Sequence, residues 1–155
     1  MQHKVITIGE ILWDVFPEGK KAGGSSMNVA LNLHKQNIES NFISAIGNDE
    51  DGNELIAFLQ SSQYPTHLIQ AHPQLPTSTV VVQLDEQHQA TYTINEPVAW
   101  DDIKVNDANI EAVKSSDAFV YCSLTCREES SKNTVLSLLE HAKTKIFDIN
   151  LRKPF

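Results

Sequence analysis

The sequence has few cysteines, few basic residues and no long apolar segment, and each shortage excludes a class of protein. Two cysteines in 155 residues are too few for a disulfide framework. Twelve Lys and Arg against twenty Asp and Glu give a net charge of -8, which argues against nucleic-acid binding. The amino terminus lacks a secretory signal, and no apolar run approaches the ~20 residues of a membrane span. We therefore expect a soluble cytoplasmic protein without nucleic-acid or membrane partners.

Familiar phosphate and metal motifs are incomplete in this chain. Segment 19–24 is similar to a phosphate-binding P-loop, but Ser25 follows it where that motif requires Lys. Segment 47–58 is rich in acids, yet a calcium loop would place Gly47 and Phe58 at its first and twelfth ligand positions, and neither can coordinate calcium. The two cysteines lack the spacing and companion ligands of a zinc site, which favours small buried side chains. We expect no metal site.

The apolar pattern predicts an α/β protein in which helices cross between parallel strands. Short apolar runs predict strands, and residues at i, i+3, i+4 and i+7 predict helices. The predicted strands are 5–8, 11–16, 41–47, 118–121 and 145–150, and the predicted helices are about 25–36, 51–61 and 107–114, followed by one that carries Val135, Leu138, Leu139 and Ala142. At 155 residues the chain is long enough for one domain with a real core.

The middle of the chain interrupts this alternation of strands and helices. Segments 79–84 and 90–95 flank the polar turn 85–89, which predicts a β-hairpin in a separate small sheet. Because strand side chains alternate, Thr93 shares one face with Thr91 and Asn95. That polar face is either a lid over the α/β core or simply the solvated side of the hairpin.

A glycine pair begins the most informative segment of the chain. Gly23 and Gly24 end a predicted loop, and either Ser25 or Ser26 can cap the helix that follows. Glycines let the backbone approach a ligand closely, and the Asn28 amide both donates and accepts hydrogen bonds. A glycine turn into a capped helix is the alternative explanation of this segment.

Polar groups recur at the predicted carboxyl ends of the strands, where ligands bind in open parallel sheets. Asp14 lies beyond the first strand, and Asp148, Asn150 and Arg152 end the last one. A carboxylate that bridges two hydroxyls, together with Asn amides and glycine backbone, describes a polyol or sugar site. Taken singly, Asp14 has the alternative of capping a turn, and Arg152 that of a surface charge.

Seven segments of the chain match one known family: 9–14, 23–30, 47–52, 76–79, 95–100, 123–124 and 148–152. On these segments the sequence resembles the ribokinase-like (PfkB) family of carbohydrate kinases, and fructokinase-like members in particular. The resemblance covers essentially the whole chain, and its glycine signature Gly-Gly-x-x-x-Asn-x-Ala is specific.

The resemblance implies a ribokinase-like parallel sheet with lid segments at about 11–17 and 77–97. It implies transfer of the ATP γ-phosphoryl to a sugar hydroxyl with Mg²⁺, with fructose or a related sugar as the substrate. The substrate-binding positions that it implies are Asp14, Gly23, Gly24, Asn28, Thr93, Asn95, Asn150 and Arg152. A homodimer formed through the lid is a further expectation.

One departure from the family pattern concerns catalysis. The Gly-Ala-Gly-Asp loop that carries the family's base and anion hole is absent, and so is the magnesium-linked Asn-x-x-Glu pattern. The chain therefore resembles the amino-terminal portion of a kinase, with an incomplete sheet, without the nucleotide-binding half and with no catalytic residue of its own. We expect it to be inactive alone, to bind ATP and Mg²⁺ poorly and to self-associate through exposed apolar surface. A non-catalytic sugar-binding or regulatory module and a nucleoside kinase of the same family are the alternatives.

A smaller departure is Cys122, which stands where fructokinase-like members more often carry Gly before Ser-Leu. Its side chain is expected to narrow the pocket.

Overall fold

The computed structural model describes residues 3–84 and 90–150, with the backbone alone for residues 82–84 and 90–94. The strands in chain order are β1 (Lys4–Ile8), β2 (Leu12–Phe16), β3 (Gly19–Gly23), β4 (Glu39–Gly47), β5 (Ile69–His72), β6 (Ser78–Leu84), β7 (Ala90–Ile94), β8 (Ala118–Cys122) and β9 (Thr144–Asp148). The helices are α1 (Ser25–Lys35), α2 (Glu50–Ser61), α3 (Asp107–Lys114) and α4 (Glu129–Leu139), with 3-10 turns at Ala99–Asp102 and Leu124–Cys126.

Five parallel strands form the larger sheet, in the order β5-β4-β1-β8-β9. β1 lies in the middle, where Ile6 pairs with Asn41 of β4 on one side and with Phe119 of β8 on the other. The chain moves outward from β1 first in one direction and then in the other. The strand order therefore reverses beside β1, and this reversal is where open α/β sheets bind their ligands.

Helices cover both faces of the larger sheet because successive strand residues point to opposite sides. Met27 of α1 and Leu55 of α2 pack with Phe42 on one face. Val113 of α3 and Leu138 of α4 pack on the other face, in a cluster that also includes the fully buried Trp100. The predicted α/β class with helical crossovers is confirmed.

A second sheet of four strands, in the order β3-β2-β6-β7, stands beside the first. β2 pairs antiparallel with β3 and parallel with β6, so that Asp14 lies opposite both Lys21 and Val80. β6 and β7 pair antiparallel as predicted, and the predicted turn 85–89 lies outside the described residues. The small sheet thus combines residues 12–23 with residues 78–94, which are far apart in the chain.

Two strands and one helix cap differ from the sequence prediction. β3 and β5 were not predicted, because the first is glycine- and lysine-rich and the second has four residues. Gly23 therefore ends a strand rather than a loop. The prediction that Ser25 or Ser26 caps α1 is wrong: Gly24 is the cap residue and supplies no side chain, and both serine hydroxyls donate to Glu10 instead.

The outer edge of the larger sheet is open at β9. All five residues of this strand are exposed, including Ile146 and Phe147, and Ile149 beyond it is 63% exposed. Within the described ranges no helix is long and apolar enough to cross a membrane.

Candidate functional site

The site residues lie where β1, β8 and β9 end and α1 begins. Glu10 follows β1 by two residues, the Gly24 cap precedes α1, and Asn150 follows β9 by two residues. These ends converge because parallel strands finish on the same edge of a sheet. The structure therefore brings residues from the beginning and the end of the chain together.

Asp14 is a half-buried carboxylate to which no described residue donates a hydrogen bond. It lies in β2 and points toward Gly23 of β3, where a Cβ atom would stand 2.3 Å from Asp14 Oδ2. Burial raises the pKa of the Asp14 carboxyl above its usual value. Gly23 thus leaves room for a carboxylate whose hydrogen-bonding capacity is unused.

Gly24 is required for a different reason. Its φ is +113°, and a Cβ atom there would stand 2.4 Å from the Glu10 carbonyl oxygen. Its own carbonyl accepts the first helical hydrogen bond, from Asn28 N–H at 2.9 Å. The Asn28 side chain is exposed on the first turn of α1 and has no hydrogen bond to any described residue. The glycine pair therefore precedes an exposed amide to which no described side chain is hydrogen-bonded.

Glu10, which sequence reasoning did not single out, is the buried anion of the site. Its carboxylate is 1% exposed and accepts hydrogen bonds from Ser25 Oγ, from Ser26 Oγ at 3.0 Å and from Ser26 N at 3.2 Å. Cys122 Sγ and Thr125 Oγ1 each lie 3.5 Å from Oε2. The only local signal of this role was a charged residue two positions after β1, between Gly9 and Ile11.

Asn150 is connected to this anion through Ser25. Asn150 Nδ2 donates to Ser25 Oγ at 2.6 Å, and its backbone N–H donates to Asp148 Oδ1 at 2.9 Å. Its φ is +39°, a left-handed conformation that Asn tolerates better than most residues. The end of β9 is thereby fixed against the start of α1.

Two of the remaining predicted positions, Thr93 and Asn95, lie at the end of β7 in the small sheet. Asn95 follows β7, is exposed, and its Nδ2 donates to Thr79 Oγ1 at 2.9 Å. The backbone of Thr93 pairs with Val81. Arg152 lies outside the described residues. Thr79 itself pairs with Trp13, the neighbour of Asp14, so Asn95 is joined to the strand that carries the carboxylate.

The side chain of Arg127, which the sequence analysis also missed, anchors the segment that follows the small sheet in the chain. Arg127 donates from Nε and Nη2 to the two Asp101 oxygens at 2.7 and 2.8 Å, and from Nη1 to Glu96 at 2.6 Å. Its guanidinium lies 4.0 Å from the Trp100 ring centre. Glu96 follows Asn95 directly, so this cluster anchors the segment that carries a predicted site residue.

The acidic segment 47–52 forms a joint rather than a calcium loop. Asp49 caps α2 by accepting from Gly52 N at 2.8 Å, and it also accepts from Thr77 N at 2.8 Å and from Thr77 Oγ1 at 2.5 Å. Burial alone would raise the pKa of Asp49, but these hydrogen bonds outweigh it and lower that pKa. The joint fixes the point where β6 enters the small sheet.

Cys122 is buried beside the same anion. Its Sγ lies 3.2 Å from Thr125 Oγ1, and burial and the Glu10 charge raise the pKa of its thiol. Cys126 is half-buried, and burial raises the pKa of its thiol as well. Because the thiolate is the reactive form, a raised pKa disfavours it in both side chains. The prediction of small buried side chains is confirmed for Cys122 and is wrong for Cys126, which is half-buried.

A family model decides the relationship of this chain to known proteins. The model of the pfkB family of carbohydrate kinases matches residues 9–155. The chain belongs to this family. The resemblance seen in the sequence is therefore confirmed, and the matched range of this pfkB-family chain includes the glycine pair.

Relatives of known sequence and structure agree with this assignment. A fructokinase of Salmonella typhimurium is 29% identical over 162 residues, which cover 98% of this chain and 52% of that protein. The crystal structure of an uncharacterized sugar kinase of Pyrococcus horikoshii is 27% identical, with a TM-score of 0.85, over 96% of this chain and 55% of that one. A second structure of that kinase is a complex with ATP, also with a TM-score of 0.85. The pfkB-family chain spans about half the length of the curated relatives it matches.

The described residues do not fit a magnesium ion. Within residues 3–84 and 90–150 no group of three or more His, Cys, Asp or Glu side chains converges as metal ligands do. The described residues therefore offer no set of side-chain ligands for Mg²⁺.

Proposed function

We propose that this chain forms the sugar-binding part of an ATP-dependent sugar kinase, which phosphorylates a hydroxyl of fructose or a related sugar. The observation that carries the proposal is the Asp14 carboxylate, half-buried and without a hydrogen-bond donor among the described residues. Leaving a buried polar group unsatisfied is costly, so such a group indicates a ligand that satisfies it.

A sugar suits this carboxylate better than most ligands do. Two adjacent hydroxyls donate to the two carboxylate oxygens, and each such bond to a charged acceptor is worth about 1.5–3 kcal/mol. The Gly24 backbone and the exposed Asn28 amide at the start of α1 supply further contacts to hydroxyls in this proposal. Asn150, half-buried at the end of β9, closes the other side in this proposal.

The small sheet acts as a lid in this proposal. Asn95 and Thr93 approach the sugar from above, and Arg152 borders the phosphoryl group. Closure excludes water, which competes with the sugar hydroxyl as phosphoryl acceptor, and aligns that hydroxyl with the phosphorus atom. The site geometry contributes positioning, which is the main protein contribution to phosphoryl transfer.

Calorimetric titration of common hexoses and pentoses into this chain tests the sugar proposal. We expect one ketohexose or a close relative to bind, and Asp14→Asn to weaken that binding about 100-fold or more, because an amide cannot accept from both hydroxyls. Glu18→Gln is the matched control. Glu18 is exposed in the turn between β3 and β2, the strand that carries Asp14, and its substitution should leave sugar affinity unchanged. Absence of any sugar binding, or better binding of adenosine or inosine than of fructose, contradicts the proposal.

Catalysis by this chain alone is a separate question. We propose that it binds sugar without transferring phosphate, because the sequence contains no Gly-Ala-Gly-Asp and the curated relatives are about twice as long. A coupled ATP-consumption assay with the sugar that binds best should show no turnover above the protein-free rate. Sustained turnover by the purified chain overturns this part of the proposal.

Assembly and compartment complete the proposal. We expect a cytoplasmic protein that forms a homodimer through the lid, where Val81 of β6 is 40% exposed. Light scattering on the wild type and on Val81→Asp shows whether each is a monomer or a dimer. A dimer that survives Val81→Asp does not form through the exposed face of β6.

A further inference from the structure

A chain of hydrogen bonds runs from Glu10 through Ser25 to Asn150 and has a defined direction. The Glu10 carboxylate is 1% exposed, has no ion pair with any described residue, and can only accept hydrogen bonds when ionised. Ser25 Oγ donates its single proton to Glu10 Oε1, which also accepts from Ser26 N. The Ser25 hydroxyl therefore has no proton left for a second partner.

The direction of the second bond follows from the first. Ser25 Oγ can only accept from Asn150, so the Asn150 side chain must present its NH₂ group, which lies 2.6 Å away. This fixes the orientation of the amide. The other end of the amide, Oδ1, has no hydrogen bond to any described residue.

We propose that Glu10, Ser25 and Asn150 form a one-way relay that presents Asn150 Oδ1 to the sugar as an acceptor, so that a sugar hydroxyl must donate to it. Glu10 is a positioning residue, 1% exposed and acting through Ser25. The inference rests on the proposed sugar site and adds the polarity of one contact and the residue that sets it.

The substitutions Glu10→Gln and Asn150→Asp, made singly and together, test the relay. Asn150→Asp puts two carboxylates on a serine with one proton, which should weaken fructose binding about tenfold and lower thermal stability. In Glu10→Gln one carboxylate is gone, and the oxygen of the introduced amide still accepts from Ser26 N. In the double variant Ser25 donates to the carboxylate introduced at position 150, and the free oxygen of that carboxylate accepts from the sugar. The double variant has the net charge of the wild type, and its affinity should return to within about threefold of Glu10→Gln alone.

The recovery of fructose affinity in the double variant tests whether the side chain at position 150 accepts a hydrogen bond from the sugar or donates one. If Asn150 donated to the sugar, a carboxylate could not replace its amide, and the double variant would regain stability without regaining affinity. That result overturns the proposed polarity. Asn133→Asp adds the same charge at an exposed position of α4 and should show no coupling to Glu10→Gln in either measurement.

Thermal unfolding without sugar separates this inference from the proposed function. The relay predicts that Glu10→Gln and Asn150→Asp are coupled in stability, and that Ser25→Ala abolishes the coupling. Additive effects overturn the relay even if fructose binds. A wild type that binds no sugar overturns the proposed function and the sugar contact together, while the coupling measurement still decides the relay.

Discussion

The carboxylates of Asp14 and Asp101 are in opposite situations within one molecule. Asp101 is 3% exposed, and it accepts from Arg127 at both oxygens and from Val98 N at 2.9 Å. Asp14 is half-buried and accepts from no described residue. A satisfied buried charge maintains the architecture, whereas an unsatisfied one costs stability and indicates a ligand. The two should therefore respond to substitution in opposite directions.

The largest effect is expected at the satisfied cluster. Arg127→Ala leaves the Asp101 carboxylate buried without its partner, which should cost about 3–5 kcal/mol of unfolding free energy. Urea titration followed by circular dichroism measures it. Arg127→Lys keeps the charge but loses the bidentate contact and the stacking on Trp100, so an intermediate loss is expected. A loss below about 1 kcal/mol for Arg127→Ala would remove the contrast with Asp14.

The glycine pair separates architecture from ligand site at adjacent positions. Gly24→Ala forces a side chain into a left-handed φ and against the Glu10 carbonyl oxygen, for an expected cost of about 2 kcal/mol. In Gly23→Ala the added Cβ meets the end of the Asp14 side chain rather than backbone, so its stability cost should be smaller. Gly23→Ala should reduce the free energy of sugar binding more than it reduces the free energy of unfolding. Thermal unfolding and calorimetry on both variants measure this difference, and equal stability losses would contradict it.

Asp102 tests whether a hydrogen-bonded carboxylate that is partly exposed also stabilises the fold, as the buried Asp101 does. Burial alone would raise its pKa, but hydrogen bonds from Lys104, Ser130 and His72 outweigh it and lower the pKa to about 2. A lowered folded-state pKa gives stability that is complete above the unfolded value of 3.8 and lost as the pH falls through about 2. Asp102→Asn should therefore cost about 1–2 kcal/mol at pH 7, and this cost should shrink as the pH falls below 3.8 and vanish only below about pH 2. A difference independent of pH would contradict the assignment.

The smallest effect, of opposite sign, is expected at Asp14. Its raised pKa means that the folded state holds the proton more tightly than the unfolded chain, so ionisation of Asp14 destabilises the fold at neutral pH. Asp14→Asn should raise the melting temperature at pH 7, and the gain should disappear below the unfolded value of 3.8. The same variant is expected to lose sugar affinity. A lowered melting temperature would place Asp14 with Asp101 as an architectural residue.

Apolar periodicity predicted most of the fold. β1, β4 and β8 and the helices α1 to α4 follow from short apolar runs and from the spacing of residues such as Val135 and Leu138. β3 escaped prediction because its residues have low strand propensity and its stability comes from partners elsewhere. Lys20 contacts Asp51 and Glu54 of α2 and lies over the Trp13 ring.

The site was only partly predictable, for a related reason. Asp14, Gly24 and Asn28 stand in one contiguous stretch, so their types and spacing are visible in the sequence. Glu10 and Arg127 act through partners that are distant in the chain, and a lone Glu or Arg gives no pattern. The wrong prediction of a serine cap has the same origin, since nothing local shows that Glu10 captures both hydroxyls.

The central position of β1 has a consequence for the nascent chain on the ribosome. β1 is made first, yet one of its two neighbours is β8, and the hydrogen bond from Lys4 N to Asp117 spans 113 residues. β4 can pair with β1 early, but the other edge of β1 stays open until β8 leaves the exit tunnel. At about 5–20 residues per second, that edge is available to wrong partners for several seconds. Slowing translation before residue 118 should therefore reduce the yield of folded chain more than slowing it afterwards.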